Sequence, residues 1–198
     1  IIKIINMSNR IINEIKESIK VKSDIIKDPS LLIKIESLAN EILKSIKNGG
    51  KIIFCGNGGS FADSQHLAAE FVSRLRFDRA ALPSVALGTN TSNITAIAND
   101  YGYEEVFSRE IMSIAKETDI FIPISTSGNS LNILKAIKSA KDKKITVIGL
   151  SGKDGGKMKD ICDLILVPSN STEKIQESHI MIGHIVCSIV EHEYFSNK

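Results

Sequence analysis

A histidine and a glutamate stand four residues apart, shortly after a glycine-rich stretch. The segment reads "CGNGGSFADSQHLAAEF" and contains His66 and Glu70. Positions i and i+4 of a helix lie on one face, with Cβ atoms about 5–6 Å apart. An imidazole and a carboxylate placed in this way could hold a metal ion or transfer protons. A histidine and a glutamate at this spacing, with no other group, usually form a surface ion pair. Chemistry here therefore requires further groups from elsewhere in the chain.

Further groups occur in the last segment, "EKIQESHIMIGHIVCSIVEHE", where Gln176, His179 and His184 interrupt an apolar run. Buried polar groups need partners. A single histidine in such a segment is usually a hydrogen-bonded core residue, whereas three polar groups favour a functional site. Gln176 and His184 are eight residues apart, about 12 Å along a straight helix. Binding one ion with both would need a kink or two subunits. His179 is the easier partner of Gln176 on spacing, and spacing alone leaves the choice of histidine open.

Two loops have the composition of anion-binding sites. "GNGGS" (56–60) follows an apolar run, and its glycines permit close backbone approach at the start of a helix. "STSGNS" (125–130) adds four hydroxyl groups and the amides of the next helix. A third glycine-rich turn, "SGKDGGKM", covers 151–158. In an open α/β sheet such loops meet at the carboxyl ends of the strands, which favours a phosphorylated ligand over simple tight turns.

Other phosphate-binding classes fail on detail. The sequence contains no GxxxxGK[ST], which disfavours a P-loop enzyme. "GNGGSF" does not complete GxGxxG, and no acidic residue ends a second strand to hold a ribose. A dinucleotide-binding fold is therefore disfavoured as well.

The elements that must position these groups alternate along the chain. Short apolar runs predict five strands, at 51–55, 84–88, 119–125, 144–151 and 163–169. Helical spacing is found at about 60–76, 103–116, 129–142 and 172–195. This alternation predicts an α/β fold, a three-layer α/β/α sandwich with a five-stranded parallel sheet and right-handed crossovers.

Two further helical patterns precede the first strand and are predicted to form a helical hairpin over residues 1–49. Their apolar seams are interrupted at 28–30, and Gly49-Gly50 ends the second helix. The seams consist of Ile5, Ile12, Ile15 and Ile19, and of Leu31, Ile35, Leu38, Ile42 and Ile46. We expect one domain over 1–198, with the α/β core at 50–198. The hairpin either packs entirely on its own sheet or forms a subunit interface.

Composition restricts the remaining classes of function. The 198 residues are 42% hydrophobic and 24% charged, as in an ordinary soluble globular protein. A net charge of +2 does not favour nucleic acid or a membrane surface as a partner. Three widely spaced cysteines disfavour a disulfide framework. No apolar run of 18 residues and no secretory signal are evident, so we expect a cytoplasmic protein.

The combination of motifs resembles the phosphoheptose isomerases of the sugar-isomerase (SIS) domain superfamily over about residues 30–195. The segments concerned are "CGNGGS" with His66 and Glu70, "ANDYG", "STSGNS", "LSGKDGGKM" and "IQESHIMIGHIV". The resemblance implies a flavodoxin-like SIS fold. It also implies an aldose–ketose isomerase that converts sedoheptulose 7-phosphate to D-glycero-D-manno-heptose 7-phosphate through an enediolate. In bacteria this reaction serves heptose biosynthesis for lipopolysaccharide or capsule.

The resemblance also implies roles for particular residues. Catalysis would fall to Glu70 as the base and His184 as the proton carrier. One Zn²⁺ per subunit would be held by His66, Glu70, Gln176 and His184. Substrate contacts would come from Asn57, Gly58, Gly59, Ser60, Glu70, Asn99, Asp100, Ser125, Thr126, Ser127, Ser130 and Gln176. A homotetramer with sites at subunit interfaces is expected, which would ease the 12 Å separation noted above.

One departure from the family pattern lies just before "IQE", where this chain has Glu173-Lys174 in place of aspartate–arginine. Lysine lacks the planar fork of arginine, which puts a substrate clamp there in doubt. The alternative function is a non-enzymatic SIS-domain module of the replication-initiator-binding type, which lacks a histidine at the place of His184. A sugar-phosphate-sensing regulator is a third reading, disfavoured because no DNA-binding segment is evident before the domain.

Overall fold

The structure, a computed structural model, describes residues 2–196 and the side chains of residues 7–196. Five parallel strands form one sheet in the order β2-β1-β3-β4-β5. The strands are β1 Ile52–Gly56, β2 Ser84–Ala86, β3 Ile120–Ser125, β4 Thr146–Gly152 and β5 Asp163–Val167. The order reverses between β1 and β3, and at such a switch point the loops that follow the two strands diverge and leave a crevice. The predicted α/β sandwich is confirmed.

Seven α-helices accompany the sheet within the described residues. They are α1 Ile2–Ile26, α2 Pro29–Lys47, α3 Gly59–Val72, α4 Thr91–Tyr101, α5 Val106–Ile114, α6 Leu131–Asp142 and α7 Thr172–Phe195. Two 3₁₀ turns cover Tyr103–Glu105 and Gly156–Asp160. Helices α2, α3 and α7 bury their apolar residues on one face of the sheet, whereas α5 and α6 cover the other.

Local sequence explains why these elements form. Asp28 caps α2 by accepting hydrogen bonds from the amides of Ser30 and Leu31, and Pro29 takes the first helical position, where its missing N–H costs nothing. The central strands β1 and β3 are buried on both faces, as a continuous apolar run predicts. Pro123 interrupts the β3–β4 ladder, because it cannot donate a hydrogen bond.

Helix α4 was not predicted. The prediction left residues 89–102 without an element, yet Asn90 caps a helix there with its side chain. None of the residues of α4 is buried. Ile94, Ile97 and Ala98 do stand at helical spacing and pack partly buried against the core, so this short stripe was a signal that the prediction did not use.

The two N-terminal helices differ in how they use their apolar seams. The seam of α2 is buried from Leu31 to Ile46, as expected for a helix that packs on the sheet. Among the described side chains of α1, from Met7 to Ile26, Val21 and Ile25 join the core. Ile12, Ile15 and Ile19 are exposed, and the side chain of Ile5 lies outside the described residues. Packing on the sheet therefore accounts for α2 and leaves the seam of α1 uncovered within one chain.

Candidate active site

Three groups from two helices converge at the carboxyl-terminal edge of the sheet. His66 Nε2 lies 2.8 Å from His184 Nε2 and 3.1 Å from Glu70 Oε1. The ligand atoms of His66, Glu70 and His184 all lie within 4.8 Å of one another. Two imidazole nitrogens and a carboxylate oxygen at this separation form a group that could hold a metal ion or relay a proton.

A glycine in α7 allows α3 and α7 to approach closely at this point. A Cβ atom on Gly183 would collide with the side chain of Leu67, which is buried in α3. Gly183 precedes His184, and Leu67 follows His66. The missing side chain therefore brings the two histidines within contact distance. An isolated glycine in an apolar helix usually has such a packing reason, and this signal was present in the sequence.

Gln176 reaches the same cleft from the first turns of α7. Its Nε2 donates to Asp63 Oδ1 at 3.2 Å, and its amide lies against Gly59 at the start of α3. Asp63 is buried, and its Oδ2 has no hydrogen-bond partner among the described residues. Burial raises the pKa of this carboxyl, although the bond from Gln176 and the nearby His66 and His184 counteract the shift. The sequence analysis missed Asp63, although it stands three residues before His66 on the same helix face.

His179 points to a different part of the molecule. It is fully buried, and its Nε2 donates to the carbonyl oxygen of Ser151 at 3.0 Å. Burial lowers its pKa to about 4, so the ring is neutral at pH 7. His179 is therefore a core residue, and His184 is the histidine that meets His66. The choice that spacing left open is decided by the geometry of α7 against α3.

The "GNGGS" loop is held by an amide pair that the sequence analysis did not foresee. Asn57 and Asn132 exchange two hydrogen bonds of 2.9 Å each. Because Asn132 Oδ1 also accepts from the Ile133 amide at 3.0 Å, the orientation of both side chains is fixed. Tyr103 donates to Asn57 Oδ1 at 3.2 Å as well. The oxygen of Asn57 is therefore already occupied, and its second N–H is the group left for a ligand.

The backbone of this loop is open to a ligand. Gly58 has a φ of +55°, which favours glycine, and Gly58 and Gly59 are exposed. Ser60 is buried, and its carbonyl oxygen accepts from Ser64 Oγ at 2.7 Å. The free amides at the start of α3 make the loop suitable for an anion.

The "STSGNS" loop lies at the end of β3, on the other side of the switch point. Ser125 Oγ accepts from the Gly128 amide at 3.2 Å, and Ser127 Oγ accepts from the Asn129 amide at 3.2 Å. Ser130 stands at the N-cap of α6 without a capping bond from its side chain. Thr126, Ser127 and Ser130 are partly exposed, so their hydroxyl groups can reach a ligand.

The third glycine-rich turn, residues 151–158, supports the serine loop. Met158 donates its amide to the carbonyl of Gly128 at 3.0 Å, and Lys157 donates its amide to Asn129 Oδ1 at 3.0 Å. Ser151 Oγ donates to the Ser125 carbonyl at 2.8 Å. The turn thus fixes the loop from behind.

Asn99 and Asp100 bond to each other rather than to the groups described so far. Both are exposed near the end of α4, where Asn99 Nδ2 donates to Asp100 Oδ1 at 2.7 Å. Among the described residues, no hydrogen bond connects either side chain with the glycine loop, the serine loop or the histidine cluster, although Tyr103, just after α4, bonds to Asn57 of the glycine loop.

The departure at Glu173-Lys174 has a structural counterpart. Lys174 is buried, and its Nζ lies 3.2 Å from Glu14 Oε2 of α1. This lysine therefore links α7 to α1, which is a packing role within the described part of the chain.

The chain is similar to known proteins over nearly its whole length. Residues 8–152 match the SIS domain family model. The chain is 53% identical over 193 residues to a phosphoheptose isomerase of Clostridium acetobutylicum, covering 97% of this chain and 98% of that protein. It is 54% identical over 193 residues to a phosphoheptose isomerase of Aneurinibacillus thermoaerophilus, with the same coverage.

A solved structure agrees with the sequence comparison. The phosphoheptose isomerase GmhA from Neisseria gonorrhoeae superposes with a TM-score of 0.86 at 40% identity, covering 93% of this chain and 98% of that one. The chain belongs to the phosphoheptose isomerase family of SIS-domain proteins. Among the described residues, no helix is both long and apolar enough to cross a membrane.

Proposed function

We propose that this protein is an aldose–ketose isomerase that converts sedoheptulose 7-phosphate to D-glycero-D-manno-heptose 7-phosphate. The observation that carries the proposal is the convergence of His66, Glu70 and His184 beside two loops suited to an anion. Relatives of about 50% identity over nearly the whole chain are named phosphoheptose isomerases. The product would enter bacterial heptose biosynthesis for lipopolysaccharide or capsule.

The reaction moves a proton between C1 and C2 through an enediolate, so it requires a base above the carbon and an acid near the carbonyl oxygen. We assign Glu70 as the base. Its side chain is only 16% exposed and has His66 Nε2 on one oxygen, which fixes its orientation. We assign His184 to exchange a proton with the sugar oxygens. Its Nε2 faces the same point from the opposite helix, and it would carry the proton only while it is not bound to a metal ion.

The substrate would be anchored at its phosphate by Ser125, Thr126, Ser127 and Ser130. The backbone of Gly58, Gly59 and Ser60, the free N–H of Asn57 and the Gln176 amide would orient the sugar. Binding energy gained at the remote phosphate helps to place C1 and C2 at Glu70 and His184. Asn99 and Asp100, at the end of α4, would add contacts to the sugar; Tyr103, just after α4, already bonds to Asn57 of the glycine loop.

We further propose that one Zn²⁺ per subunit is held by His66, Glu70, His184 and Gln176. Imidazole nitrogen and carboxylate oxygen are ligands that Zn²⁺ favours, so the donor set fits this ion. A bound Zn²⁺ would polarise the sugar carbonyl as a Lewis acid. The bond between Gln176 and Asp63 would orient the amide oxygen of Gln176 toward the ion, as outer partners commonly do.

The proposed assembly is a homotetramer with sites at subunit interfaces. Each subunit would be a single SIS domain over residues 1–198. The proposed location is the cytoplasm. The uncovered seam of α1 supports the assembly, because Ile12, Ile15 and Ile19 would otherwise remain in water. Light scattering on the protein and on an Ile12→Lys/Ile19→Lys variant tests it. A wild-type monomer would contradict the assembly.

The non-enzymatic interaction module is not favoured. Such a module needs no histidine facing His66, whereas His184 occupies that position here. The relatives described above are named isomerases, and their similarity spans nearly the whole length of the chain.

The test is direct conversion of sedoheptulose 7-phosphate, followed by NMR, with D-fructose 6-phosphate as a shorter ketose for comparison. We expect the aldose to form from the heptose phosphate. Glu70→Gln should lower kcat about 10²-fold or more with the fold intact, which excludes a contaminating isomerase. Absence of turnover by the wild-type protein after incubation with Zn²⁺ would refute the proposed reaction.

A further inference from the structure

A buried ion pair lies outside the site but touches both helices that form it. Arg79 follows α3 in the chain, and Glu191 lies on α7. Their side chains are 2% and 1% exposed, and Arg79 Nε donates to Glu191 Oε1 at 2.9 Å. Neither residue belongs to the groups that bind or transform the substrate in the proposed function.

Arg79 binds the C-terminal end of α3, where the proposed base Glu70 lies. Its Nη2 donates to the carbonyl oxygen of Glu70 at 2.7 Å, and its Nη1 donates to the carbonyl of Phe71 at 2.6 Å. The last four carbonyl groups of a helix have no partner within the helix. The guanidinium group satisfies two of them with its fixed fork of donors.

Glu191 completes the connection from α7. Its Oε1 also accepts from the Leu75 amide at 3.0 Å, and its Oε2 accepts from the Arg76 amide at 2.8 Å. Burial raises the pKa of this carboxyl, but these amides and Arg79 outweigh burial and hold it below its ordinary value. Glu191 follows His184 by seven residues, about two helical turns, and so lies on a similar face of α7.

We propose that Arg79 and Glu191 form a positioning pair that sets the separation between Glu70 and His184. Replacing a buried ion pair by apolar residues is often neutral for stability, so stability alone does not account for the pair. Its contacts instead fix the last turn of α3, which carries Glu70, against the helix that carries His184. The inference deepens the proposed function and rests on it for the identity of the site.

The main test is Arg79→Lys, since lysine keeps the charge but cannot bind Glu191 and two carbonyl groups at once. We expect Co²⁺ affinity, measured by absorbance and chelator competition, to fall about 10- to 100-fold, the range for losing an outer partner of a metal ligand. We expect kcat to fall, while KM changes less because the phosphate loops are untouched. Val190→Ala, buried next to Glu191, is the matched core control.

Two outcomes decide the inference even if Arg79→Lys folds poorly. The double variant Arg79→Met/Glu191→Leu removes both charges, and its crystal structure gives the distance between the Glu70 carboxylate and His184 Nε2 directly, which is within 4.8 Å in the wild type. A shift of about 1 Å, enough to impair a reaction severely, is expected. An unchanged distance overturns the inference. A loss of Co²⁺ affinity in the double variant that is no greater than the loss in Val190→Ala overturns it as well. The distance is informative even if sedoheptulose 7-phosphate proves not to be the substrate.

Discussion

His66 and His184 are 118 residues apart in the chain, yet their Nε2 atoms lie 2.8 Å from each other. One of the two nitrogens must carry a proton for this contact to be a hydrogen bond. Binding of a metal ion requires both to present lone pairs, so proton position and metal occupancy are coupled here. The rings meet nearly at right angles, with 80° between their planes.

The first prediction separates the two histidines of α7. His184→Ala should lower Zn²⁺ content, measured by elemental analysis, and reduce kcat about 10²-fold or more, because it removes a ligand and a proton carrier. His179→Leu should retain the metal, since its ring bonds to the Ser151 carbonyl and faces away from the cluster. Loss of Zn²⁺ from His179→Leu with retention in His184→Ala would reverse the assignment.

The second prediction contrasts two glycines. A Cβ atom on Gly59 would lie 2.6 Å from Gln176 Oε1, the end of a flexible side chain that can move away. Gly59→Ala should therefore lower kcat/KM about 10-fold by displacing Gln176, with about 1 kcal/mol of stability lost as Asp63 loses its hydrogen bond from Gln176.

Gly128→Ala is the counterpart. Its φ is +64°, and a Cβ would collide with the backbone of Gly155. This variant should lose about 2 kcal/mol or more of unfolding free energy, measured in urea. Equal effects of the two alanines on the urea midpoint would contradict the prediction.

The third prediction concerns the amide pair. Asn132→Asp keeps the acceptor for Asn57 Nδ2 but loses the donor to Asn57 Oδ1, so two oxygens would face each other. We expect KM for the sugar phosphate to rise about 5- to 10-fold, the value of one hydrogen bond, with a smaller change in kcat. Asn170→Asp, on an exposed residue, is the control. An unchanged KM would show that Asn57 does not depend on Asn132.

The fourth prediction is a pH dependence of stability. The pKa of His179 is about 4 in the folded protein, against an ordinary value of 6.5. Above pH 6.5 neither state binds a proton here. As the pH falls from 6.5 to 4 the unfolded state binds one first, so this residue should cost about 1.4 kcal/mol of stability per pH unit, about 3 kcal/mol in total.

Urea titrations at pH 7, 6 and 5 measure the effect. His179→Leu should flatten this part of the decline, whereas His192→Leu, on an exposed residue of the same helix, should leave it as in the wild type. Parallel curves for wild type and His179→Leu would mean that His179 is not a neutral core residue.

The sequence predicted the sheet well because its strands are continuous apolar runs flanked by glycine and serine. It missed α4, whose stripe of Ile94, Ile97 and Ala98 has helical spacing but is short, flanked by polar residues and only partly buried. It could not decide how far the seam of α1 is covered, because an apolar stripe looks the same whether a sheet or another subunit meets it.

The site was predicted in part, and the limits have physical reasons. His66 and Glu70 share a helix face, which spacing alone reveals. The choice between His179 and His184 depends on how α7 is rotated against α3, which no local pattern encodes. Asn132 bonds to Asn57, 75 residues earlier, and Arg79 pairs with Glu191, 112 residues later, so neither contact is visible in a local pattern.

Gly183 has a consequence for protein engineering. Replacing helix-interior glycines with alanine is a routine way to gain up to about 1 kcal/mol per position. At Gly183 the added methyl group would press on buried Leu67 and drive α3 and α7 apart between His66 and His184. A design that ranks positions by helix propensity alone would treat Gly183 as an ordinary helix position, whereas the overpacking here should cost about 1–3 kcal/mol and separate the reactive groups as well.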